Sequence, residues 1–234
     1  MDPARKLATY DDLRRLPDEV RAEVLAGVVH TMPAPLPRHN RIARAIGRFV
    51  GGPFDDDDGF DGPGGWWILP DVDVQLAEHD VVRPDLSGWR RDRLAEPWDE
   101  RPIAVRPDWI CEILSPSNAK HDRLTKADLY AREGVPHYWI VDPVERIVEV
   151  FALRDGGWFR DGAYSDGDIA RLAPFAEIEP DVGRLFPPNG CSSVSARSPG
   201  SRPGGRSGSR PAGCRGRCRT PRCRSRRRWT RRRG

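Results

Sequence analysis

The sequence divides sharply at residue 187, and this division limits how much of the chain can form a hydrophobic core. Residues 187–234 contain 15 Arg, no Lys and no acidic residue, with almost no large apolar side chains. Such a segment buries too little apolar surface to offset the conformational entropy lost on folding, so we expect it to be disordered. Residues 1–186 are long enough for one ordinary domain, and we expect the fold there.

Three interpretations of residues 187–234 remain open. An arginine-rich arm can bind nucleic acid through its phosphates. Zinc binding is a second interpretation, but Cys214, Cys218 and Cys223 lack a C-x2-C pair and the segment has no His. The third, which we favour, is a frameshift product, because out-of-frame translation of GC-rich DNA yields Arg, Gly, Pro, Ser and Cys without Lys or acids.

The composition of the remaining residues favours a soluble, cytoplasmic protein. No stretch approaches the ~20 consecutive apolar residues that span a bilayer, and the N-terminal "MDPARKLATYDDLRRLP" has no apolar signal core. With 35 acidic and 24 basic residues, residues 1–186 carry a net charge near −11. Membrane binding is therefore not expected.

Apolar periodicity predicts the order of the early elements. Thr9 can cap a short helix that ends near Pro17, and "AEVLAGVVHTM" predicts a β-hairpin that turns at Gly27. "HNRIARAIGRFV" has apolar residues at helical spacing, which predicts a helix of about three turns that ends at Gly51 and Gly52. "FDDDDGFDGPGG" is typical of a loop.

The second half of residues 1–186 is dominated by strand patterns. "WWILP", "DVDVQLA" and "DVVRPDLSGW" predict strands, and the alternation in the second of these favours an outward side chain for Asp73. "PDWICEILS" is almost continuously apolar, as in a central strand covered on both faces. A helix in "NAKHDRLTKADLYAREG" that stops at Gly134 and strands in "HYWIVDP" and "RIVEVFAL" follow. The fold class is therefore α/β or α+β, with a mixed sheet flanked by helices.

Two carboxylates stand out because each interrupts an apolar segment. Glu112 is the only charge between Trp109 and Ser115, and Asp85 lies on a predicted strand or at its end. A carboxylate in a buried strand is costly unless it is paired or bound to a metal. Two carboxylates on neighbouring strands can share Mg²⁺, which takes one or two carboxylates and retains waters that a phosphate oxygen can replace.

The lysines are a second signal, because the chain uses arginine almost everywhere else. Only Lys6, Lys120 and Lys126 are present, and two of them follow Glu112 within fourteen residues. Lysine is a compact charge whose pKa can shift, whereas arginine stays protonated. A site that assists a nucleophilic water or contacts a phosphate oxygen can require lysine, and the predicted helix after Glu112 can bring one of these two lysines, Lys120 or Lys126, back over that strand.

In this order of motifs the sequence resembles the PD-(D/E)xK nuclease superfamily, and more closely its Uma-type family of restriction-endonuclease-like proteins. The resemblance covers about residues 10–186. It depends on five ordered segments: "AEVLAGVVHTMPAPLPRHNRIA", "VVRPDLSGW", "CEILSPSN", "KHDRLTKADLYAREGVPHYWIVDP" and "IVEVF". Residues 1–186 would then be an endonuclease-like domain with a central mixed sheet and an early β-hairpin.

The resemblance also implies site residues, a cofactor and a substrate. Asp85 and Glu112 would be metal ligands, Lys126 the catalytic lysine, and Glu23 the acidic residue that completes the site. The cofactor would be Mg²⁺, with Mn²⁺ as a substitute, and the substrate DNA. The chain departs from the basic superfamily pattern at Leu114, where an ExK motif has lysine; the same departure characterises the Uma-type family. A homodimer is plausible by resemblance only.

Each candidate also has a structural interpretation that the sequence leaves open. Asp85 fits a turn after proline, and Glu112 fits one half of a buried ion pair. Solvent-facing positions are the alternative for Glu23, Lys120, Lys126 and Asp73. His39 is interpreted as an N-terminal helix residue, and a role in a pocket stays open.

A different class of function also remains open: a catalytically idle nuclease fold that acts in dimerisation or nucleic-acid binding. A net charge near −11 disfavours non-specific DNA binding, which depends on neutralising phosphates. Two basic segments, "RHNRIARAIGR" and "WRRDR", can still form a local strip of positive charge.

Overall fold

The computed structural model describes residues 6–55, 62–116 and 119–188, which lie within the first of two compact units, Met1–Gly190. Apart from Pro187 and Pro188, the segment 187–234 lies outside the described residues, so the predictions of disorder and of a frameshift stay predictions. Residues 56–61 of the predicted acidic loop lie outside them as well. None of the described helices is long and apolar enough to cross a bilayer.

The described residues form ten strands in two sheets. A six-stranded sheet has the order β10-β9-β8-β7-β6-β3, and a four-stranded sheet has the order β2-β1-β5-β4. The strands are β1 Arg21–Leu25, β2 Val28–Met32, β3 Trp66–Pro70, β4 Val74–Ala77, β5 Asp80–Val82, β6 Leu86–Arg90, β7 Trp109–Ile113, β8 His137–Asp142, β9 Ile147–Arg154 and β10 Gly157–Tyr164. β7 is parallel to β8 and the other pairs are antiparallel, so the predicted mixed sheet is confirmed.

The strand β7 lies inside the larger sheet, between β6 and β8, and each of its residues is buried. Its side chains alternate between two apolar cores. Trp109, Cys111 and Ile113 enter the core on one face, and Ile110 enters the core on the other. By this alternation Glu112 points to the same face as Ile110, which places a carboxylate inside a hydrophobic layer.

The helices cover both faces of the larger sheet, as predicted. They are α1 Tyr10–Leu13, α2 Pro37–Asp55 and α3 Ala127–Arg132, with a π-helical segment His121–Lys126 directly before α3 and a 3₁₀ turn Val182–Leu185 near the end. α2 contributes Ile42, Ile46 and Val50 to the core of the Trp109 face. α3 contributes Leu129 and Tyr130 to the core of the Ile110 face.

The predicted ends of two helices had different outcomes. Gly134, with φ +75°, follows α3 and confirms the predicted stop. The predicted end of α2 at Gly51 and Gly52 is wrong, because the helix continues through both glycines and Pro53 to Asp55. Val50 and Phe54 lie four residues apart on its buried face, and Phe54 packs against Phe175 with ring centroids 4.8 Å apart. This packing outweighs the poor helix propensity of glycine.

The predicted hairpin is confirmed and forms part of the smaller sheet. Ala26 and Gly27 both have positive φ, 48° and 73°, as a two-residue hairpin turn requires. A Cβ at Gly27 would lie 2.7 Å from the Leu7 side chain, so glycine is also needed for space. β1 pairs with β5 through Val24 and Val81, which brings Glu23 beside the chain that links the two sheets.

Candidate active site

Glu112 and Lys126 form a buried contact at the centre of the candidate site. The Lys126 Nζ donates to Glu112 Oε1 at 3.0 Å, and the side chains of both are only 4% exposed. Tyr130, one helical turn after Lys126, donates its hydroxyl to the same Oε1 at 2.6 Å. The structure thus excludes a solvent-facing Lys126, and it shows a partner for the glutamate that interrupts β7.

Glu23 approaches Lys126 from the hairpin. Its Oε1 lies 2.8 Å from Lys126 Nζ, and it accepts a hydrogen bond from the backbone N–H of Arg83 at 2.7 Å. The Glu23 side chain is 2% exposed, so the interpretation as an exposed hairpin residue is wrong. Three elements, β1, β7 and the π-helical segment, therefore meet at one ammonium group, and β1 is distant in sequence from the other two.

Asp122 is a third acidic partner that the sequence analysis missed. Its Oδ1 lies 3.6 Å from Lys126 Nζ, and its side chain is 5% exposed. The available signal was the i,i+4 spacing of Asp122 and Lys126, which places both on one helical face. The π-helical segment that carries them has no recognised sequence signature, although π-helical turns are frequent at functional sites.

Asp85 directly precedes β6, at the point where the chain crosses from the smaller sheet to the larger one. Its Oδ2 accepts a hydrogen bond from the backbone N–H of Ile113 at 2.7 Å, so it lies beside the end of β7. Its Oδ1 lies 3.0 Å from His39 Nε2 at the start of α2. His39 thus faces the site, and its buried Nδ1 has no partner within the part of the chain that the structure describes.

The site has more acid than base, and this imbalance governs its titration. Burial raises the pKa of Glu112 well above its ordinary value, although Lys126 opposes this. Burial likewise raises the pKa of Asp122, to about 6. Burial lowers the pKa of Lys126, but Glu112, Glu23 and Asp122 outweigh that effect and raise it well above its ordinary value. Lys126 therefore stays charged, and the surplus of carboxylates favours uptake of a proton or a cation.

The negative charge of the site also favours the protonated form of His39. Burial lowers its pKa, but the hydrogen bond to Asp85 and the charge of Asp85 outweigh burial and raise it above the ordinary value.

Two cavities open on either side of Lys126. One, of about 290 Å³, is lined by His39, Asp85, Glu112, Asp122 and Lys126. The other, of about 330 Å³, is lined by Glu23, His30, His121, Asp122 and Lys126. Asp85 and Glu112 thus face one open space, whereas Glu23 reaches Lys126 from the opposite side.

The first cavity fits a hard divalent cation, because Asp85 and Glu112 supply two carboxylates there and Mg²⁺ needs no more from a protein. Among the described residues, no three His, Cys, Asp or Glu side chains already converge as a metal site. Three of the acids instead converge on the Lys126 ammonium, which lies within 3.6 Å of Glu23, Glu112 and Asp122.

A second buried carboxylate lies outside this site. The prediction that Asp73 points outward is wrong, since its side chain is 3% exposed and β4 begins only at Val74. Asp73 accepts from Arg83 Nε at 2.7 Å, from Arg101 Nε at 2.9 Å and from the Tyr10 hydroxyl at 3.3 Å. These residues line a separate cavity of about 540 Å³, so Asp73 does not join Glu112 and Asp85.

The positions of the remaining candidates are clear. Lys120 is exposed, as favoured from the sequence. Leu114 is buried in the core of the Ile110 face. The lysine of this site is therefore on the helix and not two residues after Glu112. His30 and His121, which the sequence analysis did not single out, lie at the second cavity with Nδ1 and Nε2 3.3 Å apart.

Comparison with known proteins gives a family and a fold. A family model described as "Uma2: Putative restriction endonuclease" matches residues 7–183. A crystal structure of a "putative nuclease belonging to DUF820" from Anabaena variabilis is similar, with a TM-score of 0.61 and 20% sequence identity. The alignment covers 76% of this chain and 97% of that one. No curated protein matches.

Proposed function

Because this chain belongs to the Uma2 family, we propose that it is a metal-dependent endonuclease that hydrolyses phosphodiester bonds in DNA. The family and the fold support a nuclease-like role, and the metal and the substrate are the proposal. The observation that carries it is the buried contact of Glu112 with Lys126 in the same cavity as Asp85.

Asp85 and Glu112 would hold Mg²⁺ or Mn²⁺, and Glu23, which contacts Lys126 from the opposite side, would hold the ammonium in place. A divalent cation at this position would polarise a phosphate oxygen and lower the pKa of a bound water. Ile113 N–H and His39 fix the two oxygens of Asp85, so its orientation is set before any ligand arrives.

Lys126 would orient the attacking water and offset negative charge that develops on the phosphate. Its ammonium is held by three carboxylates from two sides, which fixes its position without exposing it. Its pKa is raised well above the ordinary value, so Lys126 acts as a positive charge and hydrogen-bond donor and not as a general base.

The test is plasmid cleavage by the full chain with Mg²⁺, Mn²⁺ or EDTA, for Lys126→Gln and Lys120→Gln. Lys120 is a matched control, because it lies six residues earlier and is exposed. Cleavage that requires the metal, survives Lys120→Gln and is lost in Lys126→Gln supports the proposal. Circular dichroism and the thermal midpoint show whether Lys126→Gln is folded. No cleavage by the unaltered protein with either metal would contradict the proposal.

A catalytically idle nuclease fold that binds nucleic acid or a second copy of itself is the second candidate. It is favoured by one observation: Lys126 already contacts Glu23, Glu112 and Asp122, so these acids have a cationic partner without a metal. Titration of Mn²⁺ followed by calorimetry separates the candidates. An endonuclease binds the metal and loses this binding in Asp85→Asn, whereas an idle site binds none.

A further inference from the structure

The exposed face of α2 carries four arginines. Arg38, Arg41, Arg44 and Arg48 are all exposed, while Ile42, Ile46 and Val50 on the other side of the helix are buried. At about 100° per residue, Arg41, Arg44 and Arg48 fall within a sector of about 60°, and Arg38 extends it at the N-terminal end. We call these four residues the α2 arginine stripe.

Among the residues that the structure describes, no acid neutralises the stripe. None of its four guanidinium groups forms an ion pair or hydrogen bond within the described ranges 6–55, 62–116 and 119–188. Residues 33–54 contain no acidic residue, in a stretch of 186 residues that holds all 35 acids of the chain. This stretch of sequence thus carries only positive charge, while residues 1–186 as a whole are near −11.

The other basic segment, "WRRDR", behaves in the opposite way. Arg93 pairs with Asp108, and Arg91 lies 3.5 Å from Asp55 and over the Trp67 ring. Arg90 lies over the Trp66 ring with its Cζ 4.4 Å from the ring centroid. These arginines are used within the protein, so of the two segments only the α2 arginine stripe offers free charge.

The stripe is continuous with the candidate site. His39, between Arg38 and Arg41 in sequence, contacts Asp85 at 3.0 Å. Arg44 lines a cavity of about 380 Å³ together with His39 and Asp85. A polyanion on the stripe would therefore run directly to the carboxylates proposed to hold the metal.

From this placement we propose that the α2 arginine stripe binds the phosphate backbone of double-stranded DNA and leads it to Asp85 and Glu112; this inference rests on the proposed function. The stripe runs over eleven residues, from Arg38 to Arg48, and its ends lie about 15 Å apart along the helix. Phosphates along one strand of a duplex follow at about 3.4 Å of axis each, so the stripe matches about four of them. The stripe supplies the local positive charge that the acidic body otherwise lacks.

The test compares two triple variants of the full chain, each with three positive charges removed. One is Arg41→Gln/Arg44→Gln/Arg48→Gln, and the control is Arg154→Gln/Arg160→Gln/Arg171→Gln. The control arginines are also exposed, but each pairs with an acid: Asp161, Glu149 and Glu179. Fluorescence anisotropy of a labelled DNA duplex, in EDTA so that nothing is cut, gives the dissociation constant between about 50 and 200 mM salt. The arginine-rich segment 187–234 is the same in both proteins.

The stripe variant should lose about 0.9 of the slope of log affinity against log salt per phosphate contact, or about 2.7 in total. In the control variant this slope should fall by less than about 1. Equal slopes in the two variants would overturn the proposal, and so would a loss confined to duplex RNA or single-stranded DNA measured in parallel. Because the assay needs no metal, a selective loss supports the stripe even if plasmid cleavage fails, and cleavage without a selective loss supports the enzyme and not the stripe.

Discussion

Buried acids lie in two places beside Arg83, Asp73 alone in one and the three acids around Lys126 in the other, and the protein neutralises them in opposite ways. The Arg83 side chain binds Asp73, and its backbone N–H binds Glu23. Asp73 has two guanidinium groups and the Tyr10 hydroxyl for one negative charge. Around Lys126 the ratio is reversed, with Glu23, Glu112 and Asp122 sharing one ammonium.

This difference in the ratio of cationic groups to acids separates a structural buried acid from acids that are available for chemistry. A buried acid with enough cations is satisfied, and removing it leaves the cations without a partner. A group of acids with too few cations has raised pKa values and favours a further positive charge. Substitution of Asp73 should therefore change mainly the free energy of unfolding. Substitution of Glu112, at the Lys126 ammonium, should change mainly metal-dependent cleavage.

The largest effect is expected for Glu112→Gln, which should lower plasmid cleavage by about 10³-fold, or about 4 kcal/mol in the activation barrier. The free energy of unfolding should change by less than about 1 kcal/mol, because glutamine still accepts from Tyr130 and Lys126 retains Glu23 and Asp122. Cleavage rates and urea unfolding measure the two quantities.

The exposed Glu145→Gln is the control for Glu112→Gln and should leave both quantities unchanged. If Glu112→Gln cleaves plasmid at the normal rate, then Glu112 is not needed for cleavage and the acids around Lys126 are not the catalytic ones.

The second prediction concerns pH and Asp122. Its pKa in the folded protein is about 6, above the ordinary 3.8, so the folded state binds its proton more tightly than the unfolded state does. The contribution of Asp122 to the free energy of unfolding therefore falls as pH rises from about 4 to above 6, by up to about 3 kcal/mol. Asp122→Asn cannot titrate, so relative to the unaltered protein it should gain that amount across this range.

Urea unfolding in EDTA at several pH values between about 4 and 7.5 measures the Asp122 difference. Asp128→Asn is the matched control, because Asp128 is exposed on the adjoining helix and has no such environment. A difference that stays constant with pH in Asp122→Asn would show that Asp122 is not the group that titrates.

The contrast between the two groups was only partly predictable from the sequence. A lone glutamate in a continuous apolar run singled out Glu112, and lysines where arginine is the rule pointed to Lys120 and Lys126, between which the family resemblance chose Lys126. Their contact depends on the helix returning over β7, and the structure confirms it. The fold class followed from apolar periodicity in the same way, because a central buried strand and flanking amphipathic helices leave a strong pattern.

The failures share one physical cause, which is long-range contact. Asp73 was placed outward from alternation, but its partner Arg101 comes 28 residues later and no local pattern shows it. α2 continues past Gly51 because Phe54 packs on Phe175, about 120 residues further along the chain. Asp122 was missed because the hairpin that brings Glu23 to the same ammonium lies about 100 residues earlier in the chain.

The third prediction tests the structural half of the comparison. Asp73→Asn should lower the free energy of unfolding by about 2 kcal/mol, because Arg83 loses its carboxylate in a mostly buried place. The value is below that of a fully buried pair, since the Arg101 side chain is 73% exposed and water screens it. Cleavage per folded molecule should not change. Urea unfolding and plasmid cleavage on the same preparation measure both.

Asp71→Asn is the control for Asp73→Asn, since Asp71 pairs with Arg21 while 45% exposed and should cost less than about 1 kcal/mol. If Asp73→Asn leaves stability intact and abolishes cleavage, then the two groups do not divide structure from chemistry.

The smallest effect is expected for Tyr130→Phe, which removes the hydroxyl that donates to Glu112 at 2.6 Å. Loss of one buried hydrogen bond should cost about 1 kcal/mol of stability. The hydroxyl stabilises the ionised carboxylate, so its removal should raise the pKa of Glu112 further and move the acidic limb of the cleavage profile to higher pH.

Tyr138→Phe is the matched control, because Tyr138 is equally buried but donates to the Asp122 carbonyl oxygen at 3.0 Å. Both variants should lose similar stability, and only Tyr130→Phe should shift the profile. A shift of equal size in both would mean that packing, and not the hydrogen bond to Glu112, sets the ionisation of the site.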